Sequence, residues 1–383
     1  MVVLVKVFCC ISCGDDVLMA TLLMVLTGLA LLVAGAELLV RGASTMARAV
    51  GMPSLIIGLT VVAFGTSAPE LAVSLKASLA GQPDIALGNV VGSNTFNVLF
   101  ILGVSAAIAP LAVSSQLVRL DVPVMIGVSG LAWLMASNGV IGRLEGVVLL
   151  AGIVGYTALL VWLGKSQGNS GAPVGPEAPG RRAANGRRLI VPALLVLAGL
   201  ALLVLGARWL VQGAVELARV LGAGELLIGL TIVAAGTSLP ELATSVIASI
   251  RGQRDIAVGN IVGSNIFNIL AVLGAAAAAA PDGVAVSPAA LRFDVPVMLA
   301  AALVCLPVFF TGGRISRWEG VLLLGYYAAY VAYLVLGASS HESLGAFSAA
   351  MVFFVLPGTV LGIAVSVFWA VRPRRKGGGL PTR

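Results

Sequence analysis

Apolar runs of about 20 residues recur along almost the whole chain, and this feature constrains the fold more than any other. A helix of about 20 residues crosses the hydrocarbon core of a bilayer, which is ~30 Å thick. The runs are solid blocks of Leu, Val, Ala and Gly without polar–apolar alternation, which favours helices over the strands of a β-barrel. Only 10% of the residues are charged, against roughly 25% in ordinary globular domains. The sequence therefore predicts an all-α polytopic membrane protein.

Eleven transmembrane helices are predicted from these runs. Between the fifth and the sixth lies "KSQGNSGAPVGPEAPGRRAANGRR", residues 165–188. Its Gly, Pro, Ser and Arg content predicts a flexible linker. The predicted spans are 18–39, 50–79, 86–110, 122–138, 144–164, 189–211, 222–250, 257–280, 294–311, 319–337 and 346–371.

The chain contains an internal repeat. Residues 58–103 align without gaps to residues 229–274, with 31 identities in 46 positions. The similarity extends outward, so we interpret 18–164 and 189–337 as two five-helix repeats. The helix at 346–371 is then an addition at the C-terminal end.

An odd number of helices per repeat has a consequence for orientation. If the linker is cytoplasmic, the second repeat enters the membrane with the opposite orientation to the first. This arrangement places seventeen Lys and Arg residues inside and six outside, as the positive-inside rule requires. It predicts an outside N-terminus and a cytoplasmic linker and C-terminal tail. It also accounts for the net charge of +7 without a nucleic-acid partner, and inverted repeats are an architecture of secondary transporters.

Two carboxylates lie inside predicted spans. Glu70 ends "GTSAPE" and Glu241 ends "GTSLPE" in the second repeat. A charged carboxylate at a helix centre costs about 2.5–3.5 kcal/mol even on the lenient insertion scale, and neither span has a Lys or Arg near its middle. A cation shared by the two glutamates would balance them. Oxygen ligands suit hard cations such as Ca²⁺.

Each glutamate follows a proline that breaks its helix. Pro69 and Pro240 lack an N–H and crowd the carbonyl four residues back, which predicts a kink near Gly65 and Gly236. Freed carbonyls at this depth are tolerated where they line a cavity or are buried in protein. Hydroxyls about one turn from each glutamate could add oxygen ligands, or could simply bond to their own helix. They belong to Thr66, Ser67, Thr237 and Ser238.

The next span of each repeat carries a polar strip, "GNVVGSNTFN" and "GNIVGSNIFN". Ser93 and Asn97 are four residues apart and share a helix face, as do Ser264 and Asn268. We interpret the two strips as opposite walls of one site. The glycines at 88, 92, 259 and 263 predict close helix packing around it, and the asparagines at 94 and 265 are expected to bond between helices.

The paired motifs "GTSAPE…GNVVGSNTFN" and "GTSLPE…GNIVGSNIFN" resemble the two α-repeats of the sodium/calcium exchanger family, within the cation/calcium antiporter superfamily. The resemblance implies ten core helices in two inverted halves and exchange of Ca²⁺ against Na⁺. It implies Glu70 and Glu241 as central ligands. The sites would be completed by Thr66, Ser67, Ser93, Thr237, Ser238, Ser264 and the carbonyls of Ala63 and Ala234.

One position departs from the pattern of some relatives. The position of Asn268 is an aspartate in those relatives, whereas both repeats here carry asparagine, at Asn97 and Asn268. One potential negative charge is therefore missing. This leaves the number of Na⁺ sites open and argues against the potassium-coupled branch.

Other residues predict less. Asp121 and Asp294, each two residues before a proline, are typical of helix starts. The cysteine cluster "CCISC" has no histidine nearby, so we expect neither a zinc site nor any resident cofactor.

The sequence thus predicts a secondary antiporter that exchanges Ca²⁺ for Na⁺ by alternating access. A Ca²⁺/H⁺ antiporter is the alternative, since a buried glutamate can carry a proton, and a passive cation channel is a further one. An intramembrane hydrolase has little support without a buried histidine or a Ser–Lys pair. The expected partners are the transported Ca²⁺ and Na⁺ (or H⁺) and the lipid bilayer, with no nucleic acid and no protein partner. We expect the plasma membrane of a prokaryote.

Overall fold

The computed structural model describes residues 2–169, 187–220, 234–310, 313–338 and 344–351. Within these ranges the chain is almost wholly helical, and the strands are two-residue pieces. Eight helical segments are long and apolar enough to cross a membrane. A ninth crossing is a bent pair, Ser54–Thr66 with Ala68–Leu79. The prediction of an all-helical membrane protein is confirmed.

The observed segments agree with nine of the eleven predicted spans. The span 222–250 is described from residue 234 onward, where an apolar helix covers Leu239–Ile250. The span 346–371 is described only to residue 351, so the additional C-terminal helix lies largely outside the described residues. The ends of the predicted linker at 165–188 are helical, because helices cover Arg143–Asn169 and begin again at Arg187; residues 170–186 lie outside the described residues.

The first helix is longer than its apolar run, continuing from residue 39 to Val50. Val40, Ala43 and Ala47 keep this extension buried in the apolar core. Arg41 pairs with Glu37 at 2.5 Å, and Arg48 donates a hydrogen bond to Thr45 Oγ1 at 3.1 Å.

The first half of the chain contains eight α-helices, two short strands and three π-helical segments. The helices are α1 Val2–Val50, α2 Ser54–Ile57, α3 Ala63–Thr66, α4 Ala68–Leu79, α5 Pro83–Phe96, α6 Leu102–Ile108, α7 Val122–Ala136 and α8 Arg143–Asn169; the strands are β1 Leu111–Ala112 and β2 Val140–Ile141; the π-helical segments are Gly58–Val62, Asn97–Ile101 and Leu117–Asp121.

The second half repeats this order as far as it is described. The helices are α9 Arg187–Val220, α10 Ala234–Gly236, α11 Leu239–Ile250, α12 Arg254–Phe267, α13 Gly274–Ala279, α14 Val295–Phe310, α15 Arg317–Ala338 and α16 Leu344–Ala350; the strands are β3 Val284–Ala285 and β4 Arg314–Ile315; the π-helical segments are Asn268–Leu273 and Ala290–Asp294.

Helices α1 and α9, which are equivalent in the repeat, pack against each other in antiparallel directions. Gly28 lies against Gly206 and Leu210, and Gly35 lies against Gly199. A Cβ atom on Gly28 would stand 2.5 Å from Leu210 N, so only glycine fits this contact. Small residues let membrane helices approach this closely.

Other cross-half contacts are reciprocal in the same way. Gly103 of α6 packs on Gly320 of α15, and their repeat equivalents, Gly274 and Gly146, pack on each other. The antiparallel strand pairs are β1 with β4 and β2 with β3. Each pair joins one element of the first half to one of the second, so the two halves interlock.

The two helices that carry the polar strips lie at the centre. The segment Pro83–Ile108 is 72% buried and Arg254–Ala279 is 89% buried, against 11–33% for the other six spans. Gly259 and Gly263 meet the backbone of Leu59 closely, as predicted. The residue equivalent to Leu59 lies outside the described residues, so close packing at Gly88 and Gly92 stays a prediction.

Candidate functional site

Both glutamates stand in the first turn of a helix that follows a break. Helix α3 ends at Thr66, and α4 starts at Ala68 after a bend of 45°. Because Pro69 occupies the second position of α4 and cannot donate to a carbonyl four residues back, the predicted kink is confirmed. In the second half, turn residues 237 and 238 separate α10 from α11. A helix N-terminus favours negative charge by about 0.3–1 kcal/mol.

The two broken helices meet at their carboxylates. Glu70 and Glu241 are both fully buried. Ser67 Oγ donates a hydrogen bond to Glu241 Oε1 at 2.8 Å, and Ser238 Oγ donates one to Glu70 Oε1 at 3.0 Å. Each carboxylate therefore receives the serine of the opposite repeat.

The second oxygen of each carboxylate has no partner among the described residues. Glu70 Oε2 and Glu241 Oε2 are buried and accept no hydrogen bond from that part of the chain. The ion pairs found in the described part of the chain involve Glu37 and Glu216 instead. A buried charge without a partner is costly, so these oxygens need a proton or a cation from outside the protein.

Two asparagine side chains add further unpartnered oxygens. Within the described ranges Asn97 makes no side-chain hydrogen bond, and Asn268 uses only its amide nitrogen, which donates to Asn94 Oδ1 at 3.1 Å. Each begins a π-helical segment, Asn97–Ile101 or Asn268–Leu273. Such wide turns occur frequently at functional sites.

The predicted hydroxyls bond across the two halves rather than only to their own helices. Thr66 Oγ1 donates to Asn260 Oδ1 at 3.1 Å, and Thr237 Oγ1 donates to Asn89 Oδ1 at 3.2 Å. Among the described residues, the hydrogen bond from these hydroxyls to their own helix is a longer contact of Thr66 Oγ1 with Ala63 O, at 3.4 Å.

The remaining predicted ligands lie in the same region. Ser93 Oγ is 3.1 Å from Ser238 Oγ, and Ser264 has a buried hydroxyl with no hydrogen-bond partner in the described part of the chain. The carbonyl of Ala63 accepts the Ser67 amide at 3.0 Å. Ala234 begins α10, and its contacts lie outside the described part. Their role as ligands stays a prediction.

Four residues that the sequence reasoning passed over belong to this region. The amide nitrogen of Asn89 donates to Glu70 O at 3.2 Å and to Ser74 Oγ at 2.9 Å. Asn260 does the same with Glu241 O at 3.4 Å and Ser245 Oγ at 3.0 Å. The available signal was their identity in both repeats, the asparagine opening each polar strip and the serine four residues after each glutamate.

Asp121 and Asp294 behave differently from the prediction. Helices α7 and α14 do begin one residue later, but Asp121 makes no capping hydrogen bond. Its buried carboxylate instead accepts Tyr156 OH at 2.9 Å and Gln116 Nε2 at 3.3 Å. Asp294 accepts Tyr330 OH at 3.2 Å. Because a π-helical segment continues directly into each α-helix, there are no free N–H groups for these carboxylates to cap.

The predictions for the asparagines at 94 and 265 have different outcomes. Asn94 Nδ2 donates to Asn265 O at 3.2 Å, which is a bond between helices as predicted. The Asn265 side chain donates to Ile261 O of its own helix at 2.8 Å, so the prediction is wrong for that side chain. An amide one turn after a carbonyl on the same face reaches it without any neighbour.

The site contains few charged ligands. Among the described residues there is no cluster of three or more His, Cys, Asp or Glu side chains. Two carboxylates, neutral amides and hydroxyls form an oxygen-rich environment, which suits hard cations. The arrangement can hold cations, and the described residues around it supply no base or nucleophile pair for hydrolysis.

The comparisons with known proteins match cation transporters of one kind. The family described as "Sodium/calcium exchanger protein" matches residues 20–162 and 191–336. The putative antiporter CaxA of Alkalimonas amylolytica is 42% identical over 292 residues, covering 74% of this chain and 87% of the relative. The sodium/calcium exchanger MaX1 of Methanosarcina acetivorans is 33% identical over 316 residues, covering 74% and 90%.

A solved structure resembles the fold over most of its length. The sodium–calcium exchanger NCX_Mj, soaked with Na⁺, superposes with a TM-score of 0.70 and 30% sequence identity. The match covers 82% of this chain and 99% of that one. The two helical bundles therefore share one architecture.

Proposed function

Because this chain belongs to the sodium/calcium exchanger family, which makes it a cation/calcium exchange transporter and not an enzyme, we propose that it exchanges Ca²⁺ for Na⁺ by alternating access. Glu70 and Glu241 would bind both ions in turn. Neutral oxygens would complete the sites, from Thr66, Ser67, Ser93, Asn97, Thr237, Ser238, Ser264 and Asn268 and from the carbonyls of Ala63 and Ala234.

The observation that carries this proposal is the pair of buried carboxylate oxygens without protein partners. With Asn97 Oδ1, Asn268 Oδ1 and Ser264 Oγ they make five of the seven buried side-chain oxygens that lack a hydrogen-bond partner among the described residues; the other two belong to Ser105 and Thr244. Calcium takes about 6–8 oxygen ligands, so backbone carbonyls at the breaks or water would supply the rest. Two carboxylates balance one Ca²⁺ or two Na⁺ ions, which lets the ions compete for the same charge.

The same burial supports coupled exchange rather than free passage. An empty site would leave two ionised carboxylates without partners at membrane depth, at a cost of about 2.5–3.5 kcal/mol each. The combined cost of roughly 5–7 kcal/mol lowers the population of an empty, moving site by about 10⁴-fold or more. Return of the carrier then requires another cation, which is the condition for antiport.

The packing of the two halves supports alternating access. Equivalent helices α1 and α9 are antiparallel, and the contacts between halves are reciprocal. Two similar states, one open to each side, follow naturally from two inverted halves around one site. With the bias in Lys and Arg, we infer an outside N-terminus and a cytoplasmic linker and tail in the plasma membrane of a prokaryote.

Proton coupling is the second candidate. Two buried carboxylates that lack basic partners in the described structure can be neutralised by protons as well as by metal cations. A proton would then replace Na⁺ as the counter-ion, with the same two glutamates as carriers. A passive channel has no comparable observation in its favour.

Uptake of radioactive Ca²⁺ into proteoliposomes tests the proposal. Vesicles loaded with Na⁺ are diluted into Na⁺-free medium, with pH and membrane potential clamped, and choline-loaded vesicles serve as the control. Uptake above the equilibrium level only in Na⁺-loaded vesicles is expected. Uptake driven by a pH gradient but not by Na⁺ would establish the proton-coupled alternative, and equilibration without a driving ion would indicate a channel.

A further inference from the structure

Two asparagine side chains, Asn260 buried and Asn89 half-buried, connect the broken helices of opposite halves. Asn260 accepts a hydrogen bond from Thr66 and donates one to Glu241 O. Asn89 accepts from Thr237 and donates to Glu70 O. The chain separations are 194 and 148 residues for the bonds to the threonines. Each asparagine side chain therefore hydrogen-bonds both to the threonine at the break of one half and to the backbone of the glutamate in the other half.

The bonding pattern requires an amide side chain. Each asparagine accepts one hydrogen bond and donates two, the second donor meeting Ser74 Oγ from Asn89 and Ser245 Oγ from Asn260. A carboxylate of the same shape could only accept, and a hydroxyl has a single donor. An aspartate would also add a third carboxylate next to the turns of the two glutamates. Asparagine is thus specified by its bonds and not only by its size.

The bonds act on the residues that are proposed to bind the cation. Thr66 and Thr237 are at the breaks, and Glu70 and Glu241 begin the helices that follow. The relative position of the two carboxylates depends on how the two breaks are held together. Partners that orient metal ligands commonly change metal affinity by about 10–100-fold when they are removed.

We propose that Asn89 and Asn260 are positioning residues that set the cation affinity of the central site by fixing the two breaks relative to each other. They do not themselves contact the ion, because their side-chain atoms are already engaged with protein partners. The inference rests on the proposed function, since it concerns the affinity of the same site.

Equilibrium binding of radioactive Ca²⁺ to the purified full-length protein tests this role. Asn89→Ala and Asn260→Ala are expected to raise the dissociation constant about 10–100-fold while leaving the number of sites per molecule unchanged. Asn265→Ala is the matched control, because Asn265 is also buried on α12 and its side-chain hydrogen bond among the described residues goes to a carbonyl of its own helix. Its dissociation constant should stay within about twofold of wild type.

A double-mutant cycle separates positioning from simple packing. If Asn260 acts through Thr66, the affinity loss of Asn260→Ala combined with Thr66→Val is smaller than the product of the two single losses. Two independent packing defects would instead give an affinity loss equal to the product of the two single losses. A loss in the double variant equal to the product of the two single losses would overturn the proposal. Dissociation constants within twofold of wild type for both Asn89→Ala and Asn260→Ala would do the same.

Milder substitutions decide the matter if the alanine variants do not fold. Ser245→Ala removes one bond of Asn260, whereas Ser249→Ala on the same helix removes a hydroxyl that bonds only to Ser245 O. A loss of Ca²⁺ affinity in Ser245→Ala alone supports the proposal, and equal affinities contradict it. Failure of wild-type protein to bind Ca²⁺ would instead refute the proposed function, so the two failures are distinguishable.

Discussion

The hydrogen bonds of the two central glutamates show which side-chain atom changes when either glutamate is replaced by glutamine. Glu70 Oε1 accepts from Ser238, whereas Oε2 has no partner. In Glu70→Gln the remaining oxygen can keep the hydrogen bond from Ser238, whose hydroxyl then needs no reorientation. The amide nitrogen then takes the place of Oε2. The substitution removes one charge and one ligand oxygen, and it directs a donor toward the cation.

The expected loss of affinity is large. Removing one partner of a buried charge pair costs about 3–5 kcal/mol, which corresponds to roughly 100- to 4,000-fold in the dissociation constant for Ca²⁺. The bond of Glu241 to Ser67 has the same form, so Glu241→Gln should behave alike. Near-equal effects follow from the reciprocal geometry of the two halves.

Measurement of Ca²⁺-dependent uptake over a wide range of Ca²⁺ concentrations, in proteoliposomes with a fixed Na⁺ gradient, tests this prediction. Glu37→Gln is the matched control, because Glu37 is a glutamate outside the site that pairs with the exposed side chains of Arg41 and Arg251. Exposed pairs of this kind contribute about 0–1 kcal/mol, so its uptake should resemble wild type. Half-saturation within threefold of wild type in Glu70→Gln would refute the reasoning that the unpartnered oxygen is a cation ligand.

Three further outcomes are expected. Gly28→Ala should destabilise the α1–α9 contact by about 1–3 kcal/mol, which would lower the melting temperature in detergent. Gly127→Ala is the control, because the space around its Cβ is open, and it should leave the melting temperature unchanged. Equal effects of the two substitutions would contradict the packing argument. Tyr156→Phe leaves buried Asp121 without its shorter hydrogen bond and should cost about 1–3 kcal/mol of stability; an unchanged melting temperature would count against it. Calcium at 100 times its dissociation constant should stabilise wild type by about 2.7 kcal/mol, but not the glutamate-to-glutamine variants.

Much of the helical layout follows from local sequence. A continuous apolar run can satisfy its backbone only as a helix inside a membrane, so nine predicted spans have observed counterparts. The bend after Thr66 was predictable as well, because the missing N–H of Pro69 acts within one turn of chain. The helix ends were less predictable: α1 continues to Val50, and Val40, Ala43 and Ala47 pack into the apolar core after the continuous apolar run stops.

The candidate site was predictable in its residue types but not in its bonds. A carboxylate within an apolar run indicates a partner from somewhere else, whatever the packing, so Glu70 and Glu241 could be singled out. The sequence could not show that Ser67 serves Glu241 and that Ser238 serves Glu70. Asp121 shows the same limit, since its partner Tyr156 is 35 residues away.

The sequence by itself determined the membrane class, the internal repeat and the two broken helices with their buried glutamates, because these depend on the length of apolar runs and on the chemistry of single residues. The tertiary structure alone decided which hydroxyl meets which carboxylate, and that Asn89 and Asn260 connect the two halves. Those bonds join residues up to 194 positions apart. Their partners are set by how α5 and α12 pack at the centre of the bundle, and no local pattern of residues encodes that packing.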